Sequence, residues 1–294
     1  MKNACIVYDS ASNIKNGQFK DVYILPQQII EVFDEKETNF KDGVDISIDT
    51  MEKNLLDGYT YKTSATNPAD TYTLFEKLSK EYKNIYVFLI PNTLSAGQNN
   101  GVTMVAEDFP SVTIIPHYMV ALMAQWECAE LVALNEKNKL DRESAIEVAN
   151  NYKDTLGAAL IVPDLSYLVK GGRISRTKGK LAKLFKITAL VSFDRDGVVF
   201  RDKSSNIDKL FKMILDYYKN NIKGFAFSKV EKVCILQSTI TEKKFDADKY
   251  KAYFTKNVFS KLPQDLNIEV QPIPGAILAH VGPNYYAVAL KIKK

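Results

Sequence analysis

Apolar positions along the first half of the chain gather into short runs of strand length: "ACIVYD" (4–9), "VYILPQQII" (22–30), "NIYVFLI" (84–90) and "SVTIIP" (111–116). Between them, apolar residues recur at helical intervals and predict helices over about 68–82, 117–135 and 142–155. This βαβ rhythm predicts a mainly parallel sheet with flanking helices. Ligand loops of such sheets collect at the carboxyl ends of the strands, where Asp9-Ser10, the loop "PNTLSAGQ" and Pro116-His117 fall.

The pattern changes after residue 156. "AALIVPD" precedes a short helix, "KGGRIS" and a basic helix; "ITALVSF" and "GVVFRD" flank Asp194-Arg195-Asp196-Gly197, a strong hairpin signal. A helix near 205–221, the strand "KVCILQS", a helix near 246–261 and the strands "NIEVQPI" and "YYAVALKIK" follow. The expected fold is two-domain α/β: residues 1–156 around a mainly parallel sheet that carries the ligand loops, and 157–294 as a mixed α/β domain closing over the ligand.

Composition narrows the class. The 294 residues are 46% hydrophobic and 25% charged, an ordinary globular balance with core enough for two domains. A net charge of +4 is too small and too mixed to imply nucleic acid. Cys5, Cys128 and Cys234 are odd in number, far apart and set among apolar residues, which predicts buried, reduced thiols. The N-terminus lacks a signal-peptide pattern, so a cytoplasmic protein is expected. The longest apolar stretch, 114–134, is broken by Gln125, Glu127 and Glu130 and reads as a buried helix, with no transmembrane segment expected.

Candidate chemistry is sparse. In "KTSATNPAD", Asn67 is placed as an N-cap, Pro68 at the first helical position and Asp70 in the first turn, with Thr63 and Ser64 just ahead; hydroxyls beside a helix N-terminus suit a carboxylate or phosphate. Ser95 precedes Ala96-Gly97 in a loop leaving a strand, without the G-x-S-x-G, G-x-G-x-x-G or P-loop patterns. Gly171-Gly172 ends a short helix just before Arg173, and seven basic residues with no acidic one lie between Lys170 and Lys186. One of only two histidines, His280, stands beside Gly282 and Pro283, in what reads as a turn between two strand-like runs facing a cleft. Neither His117 nor His280 has companions at metal-ligand spacing, so no metal is expected.

Taken together, "YDSAS" (8–12), "DGVDIS" (42–47), "KTSATNP" (62–68), "LSAG" (94–97), "YLVKGGRIS" (167–175) and "AHVGPNYYAVAL" (279–290) resemble, in order and spacing, the DegV family of bacterial fatty-acid-binding proteins. The resemblance implies a long-chain fatty acid held between two α/β domains, its tail buried and its carboxylate bound by Thr63, Ser64 and Ser95, with His280 and Gly282 at the head group. It further implies a non-catalytic carrier without a cofactor, which presents the acid to a separate fatty acid kinase, Arg173 serving the kinase or the phosphate, and leaves room for transient membrane contact. The chain departs from the family pattern at Ala96-Gly97, at His117, at Ser205 and at Asn284. Two other classes stay open from the residues alone: a Ser95/His280 enzyme with Asp9 orienting the imidazole, and a nucleotide or RNA binder using segment 170–186.

Overall fold

A computed structural model describes residues 1–174, 188–194, 197–204, 206–240 and 247–294. The chain divides into two compact units, one of Met1–Ser47, Thr60–Lys153 and Pro274–Ile277, the other of Ile48–Tyr59, Asp154–Ile273 and Leu278–Lys294.

The first unit contains β1 (Lys2–Asp9), β2 (Val22–Leu25), β3 (Gln28–Phe33) and β4 (Lys36–Lys41); α1 (Ile48–Leu56) belongs to the second unit. It continues with β5 (Thr60–Ser64), α2 (Pro68–Glu81), β6 (Tyr82–Phe88), α3 (Ala96–Ala106), β7 (Val112–Ile114), α4 (Ala121–Glu136) and α5 (Arg142–Thr155), whose last two residues fall in the second unit. The order β2-β1-β6-β7 is parallel throughout. Successive residues of β1 and β6 point to opposite faces. Cys5, Val7, Ile85 and Val87 meet Phe75, Leu78 and Val102 of α2 and α3. On the other face Tyr8 reaches α4. Both faces are therefore covered, as a parallel sheet requires.

The run 22–30, read from sequence as one strand, breaks at Pro26-Gln27 into β2 and β3. β3 then pairs with β4 and β5 in a separate antiparallel sheet. That hairpin closes on Asp34 and Glu35, both left-handed at φ 47° and 62°. A two-residue turn normally signals itself by Asn-Gly or Asp-Gly; here neither residue does.

The second unit has β8 (Leu156–Val162), α6 (Ser166–Lys170), β9 (Ala189–Asp194), β10 (Gly197–Lys203), α7 (Ile207–Asn221), β11 (Val230–Gln237), α8 (Ala247–Asn257), β12 (Ile268–Gln271), α9 (Gly275–Val281, begun in the first unit) and β13 (Tyr286–Ile292). Its sheet runs β10-β9-β8-β13-β11-β12, antiparallel except for β11 and β12. β13 lies at its centre and is buried at every residue. One face of the sheet packs Ile161, Ile235, Val288 and Leu290 against Leu210, Phe211, Ile214 and Phe254 of α7 and α8. The other carries small side chains, Ala158, Ala287, Ala289 and Cys234. β9 and β10 form the expected hairpin, while its turn residues Arg195 and Asp196 lie outside the described residues. So do Ser205 and five of the seven basic residues of segment 170–186.

Cys5, Cys128 and Cys234 are free and buried, and burial raises each thiol pKa, as an apolar interior should. Among the described residues no helix is long and apolar enough to cross a membrane. α1 was not legible in the sequence; it is fixed to its unit by buried Glu52, whose Oε2 accepts from the N–H groups of Thr239 and Ile240 and from the Thr239 hydroxyl, each at 2.8 Å. Glu52→Ala strands those donors and should lower stability by about 2–3 kcal/mol, with the urea midpoint as the measurement; an unchanged midpoint would show that the bonds contribute nothing.

Candidate functional site

In the first unit the candidate hydroxyls come from two loops. Thr63 and Ser64 end β5, opposite Ile29 and Gln28 of β3, with Thr63 half-buried and Ser64 exposed. The chain then turns into α2 with the expected start: Asn67 is the N-cap, its Oδ1 accepting from Ala69 N–H at 2.9 Å, followed by Pro68 and Asp70. Ser95 is the N-cap of α3 and accepts from Gln98 N–H at 3.4 Å. A serine that accepts in this way keeps its own O–H as a donor for a carboxylate.

Gln98 joins the two loops. Fully buried, it accepts from Thr66 N–H at 2.8 Å and donates to Thr66 Oγ1 at 2.9 Å. Gly101, one turn further along α3, passes so close to Ala65 that a Cβ there would lie 3.7 Å from the Ala65 methyl. The Thr63–Thr66 loop thus lies against α3, the helix that Ser95 begins. Sequence reasoning missed Gln98, because a glutamine in a Gly/Asn-rich loop carries no signal of a partner 32 residues away.

Asp9, weighed above as an orienter of imidazole, gives its carboxylate to backbone: Oδ1 accepts from Ala11 N–H at 3.1 Å and Oδ2 from Ile90 N–H at 2.7 Å. Burial pushes its pKa up to about 7, against the downward pull of the Ile90 N–H and His117. Asp42 of "DGVDIS" is likewise buried and accepts from Ala276 N–H at 3.1 Å, so it caps α9 from far away in the sequence. Burial raises its pKa to about 6, opposed by the Ser10 hydroxyl and the Ala276 N–H. A groove of about 340 Å³ opens at the amino end of β1 among Lys2, Asn3, Lys20, Asp21 and Asn135; none of the hydroxyl loops contributes to its walls.

In the second unit two motifs some 110 residues apart in sequence interlock. His280 is not in a turn between strands, as its Gly/Pro neighbours suggested; it lies in the last turn of α9. The alanines and leucine of "GAILAHV" favour helix, and the distant Asp42 cap lets it start. Gly282, at φ +77°, ends it, its N–H bonding to the Leu278 carbonyl at 2.8 Å. A Cβ on Gly282 would overlap the ring of Tyr167, and one on Gly171 would overlap Nδ1 of His280. Gly172, at φ +71°, is the left-handed residue after α6, and Arg173 Nη1 donates to the Gly171 carbonyl at 2.7 Å. Burial, with the nearby Arg173 charge, lowers the His280 pKa to about 4, so the ring is neutral at physiological pH.

The DegV family model, described as an uncharacterised protein family, matches residues 3–293. The chain belongs to the DegV family. A DegV domain-containing protein of Mycoplasma pneumoniae is 27% identical over 305 residues, covering 100% of this chain and 99% of that one. The solved fold of the fatty-acid-binding DegV protein from Thermus thermophilus superposes with a TM-score of 0.80 at 19% identity, over 99% of this chain and 100% of that chain. DegV from Bacillus subtilis, a fatty acid binding protein, gives 0.79 at 16% identity over the full length of both chains. The Streptococcus pneumoniae Fatty Acid Kinase (Fak) B3 protein, loaded with linoleic acid, gives 0.75 at 19% over 99% of this chain and 100% of that chain. The two-domain α/β DegV fold is thereby shown.

The contact between Gly171 and His280 yields a test of the second unit. Gly171 has an ordinary helical φ of −71°, so Gly171→Ala should lose stability through steric overlap, by about 1–3 kcal/mol. In a His280→Ala background the same change should cost less, the remainder coming from the Tyr167 carbonyl oxygen 3.1 Å from the added Cβ. Additive effects in the denaturation cycle would show that the ring and the glycine do not touch.

Proposed function

We propose that this chain is a carrier of a long-chain fatty acid: it takes the carboxylate on the hydroxyls of Thr63 and Ser95 and presents the acid to a fatty acid kinase. The observation that carries the reading is the Gln98–Thr66 clasp, which sets the Thr63–Ser64 loop beside the helix begun by Ser95. Family membership, and fatty acid binding by the Thermus and Bacillus proteins of the same fold, support it.

Affinity comes from the tail. Burying about 14 methylenes at ~0.8 kcal/mol each gives on the order of 11 kcal/mol before association and ordering costs. The carboxylate then has to keep hydrogen bonds as it leaves water, or its desolvation would cancel much of that gain. Two hydroxyls and the N-terminal end of an 11-residue helix are suited to this. His280 and Gly282 complete the proposed head-group set. His280, neutral, contributes one N–H and no charge. Arg173, half-buried at the end of α6, supplies a guanidinium for an acyl phosphate or for the kinase.

Mass spectrometry of lipid extracted from the purified protein should find a fatty acid in stoichiometric amount. Thr63→Ala with Ser95→Ala should weaken fatty-acid binding by roughly 1–3 kcal/mol; full affinity in the double variant rejects this head-group site. Arg173→Ala should bind lipid normally and slow phosphorylation by a bacterial fatty acid kinase, whereas His280→Ala should cost no more than about 1–2 kcal/mol in binding while slowing phosphorylation further. Wild-type turnover in both variants would remove them from the kinase step.

A further inference from the structure

The segment that delivers Ser95 is tied down from outside by two buried side chains. Asp9 accepts the Ile90 N–H, and His117 Nε2 bonds to the Leu89 carbonyl. From within the segment, Asn99 Nδ2 donates to the carbonyls of Ile90 and Ser95 at 2.7 and 3.0 Å. A carbonyl only accepts, so Nε2 of His117 carries a hydrogen. The other ring nitrogen, Nδ1, lies 3.0 Å from Glu127 Oε2 of α4, and that oxygen also accepts the Tyr8 hydroxyl at 2.7 Å. Holding this geometry takes one more proton between Nδ1 and Glu127; without it, a lone pair faces a carboxylate in a site where both side chains are buried.

We infer that His117, Glu127 and Asp9 are positioning residues for the head-group loop, and that capture of a carboxylate by Ser95 is coupled to the proton shared by His117 and Glu127. The inference rests on the reading of Ser95 as a head-group ligand. The titratable groups facing His117 are Glu127 from α4 and Tyr8 and Asp9 from β1; Cys128 and Tyr152 face Tyr8 beyond them. Burial lowers the His117 pKa, and the Glu127 and Asp9 carboxylates outweigh it, leaving the pKa above its usual 6.5. The sign follows: anchoring is complete below the usual histidine value and is lost as pH rises through the raised one. Burial sets the Asp9 pKa at about 7, so Asp9 also ionises over this range, in the direction that strengthens its acceptance of the Ile90 N–H. Replacing Glu127 by glutamine leaves an amide that donates to neutral Nδ1 and accepts nothing from it, so the anchor no longer needs the shared proton.

The probe is cis-parinarate, titrated by fluorescence at about pH 7 and about pH 9, where a carboxylate of ordinary pKa stays ionised. Wild-type affinity should fall about fivefold over that interval and that of Glu127→Gln by less than about twofold; His117→Ala should bind about five- to tenfold more weakly at both, the scale of one lost hydrogen bond. Amide exchange over residues 89–99, compared between proteins at equal pH, needs no lipid and should be faster in His117→Ala. Parallel pH profiles for wild type and Glu127→Gln overturn the coupling, and unchanged exchange in His117→Ala overturns the anchoring. If wild type takes up no cis-parinarate at either pH, the head-group reading falls, and exchange still decides the anchor. Should His117→Ala fail to fold, the Glu127→Gln comparison stands alone as the test.

Discussion

A loop that offers hydroxyls to a ligand cannot use all of its own backbone groups in helices or strands, and buried backbone left unpaired is costly. The loops that follow β5 and β6 meet this constraint with side chains: Asp9 for Ile90, His117 for Leu89, Gln98 for Thr66. Each replaces a ladder bond with a bond of fixed direction, so the loop leaves the sheet without becoming loose. The arrangement costs the protein ionisable groups in its interior, and the raised pKa values of Asp9 and Asp42 are the visible form of that cost.

The same constraint explains what was legible in the sequence. The parallel strands and α2, α5 and α7 followed from periodicity and local caps, because their determinants lie within a few residues. The hairpin of β3 and β4 did not, since Asp34-Glu35 adopts a turn that other residues usually announce. α1 and α9 depend on Glu52 and Asp42 and their distant partners Thr239 and Ala276, and no window of sequence contains both members of either pair. Thr63, Ser95, Gly171 and His280 could be singled out one by one; that Gly171 must be glycine because an imidazole occupies its Cβ position needed the fold.

Burial explains the reassessment of His280. A histidine between glycine and proline reads as a polar turn residue, yet the apolar length of α9 carries it inward, and Arg173 across from it makes a second positive charge unfavourable. His117 is buried as well, but beside two carboxylates, and its pKa moves the opposite way. The pKa values of the two imidazoles of one chain thus move in opposite directions, for reasons that lie in their neighbours.

The three thiols have a practical consequence. Cys5 and Cys128 lie in the first unit and Cys234 in the second, each sealed from solvent and none paired. A thiol-reactive dye therefore meets no sulfur until the surrounding unit opens, and the site of labelling identifies which unit opened. Without any engineered label, the chain carries separate clocks for the breathing of its two halves.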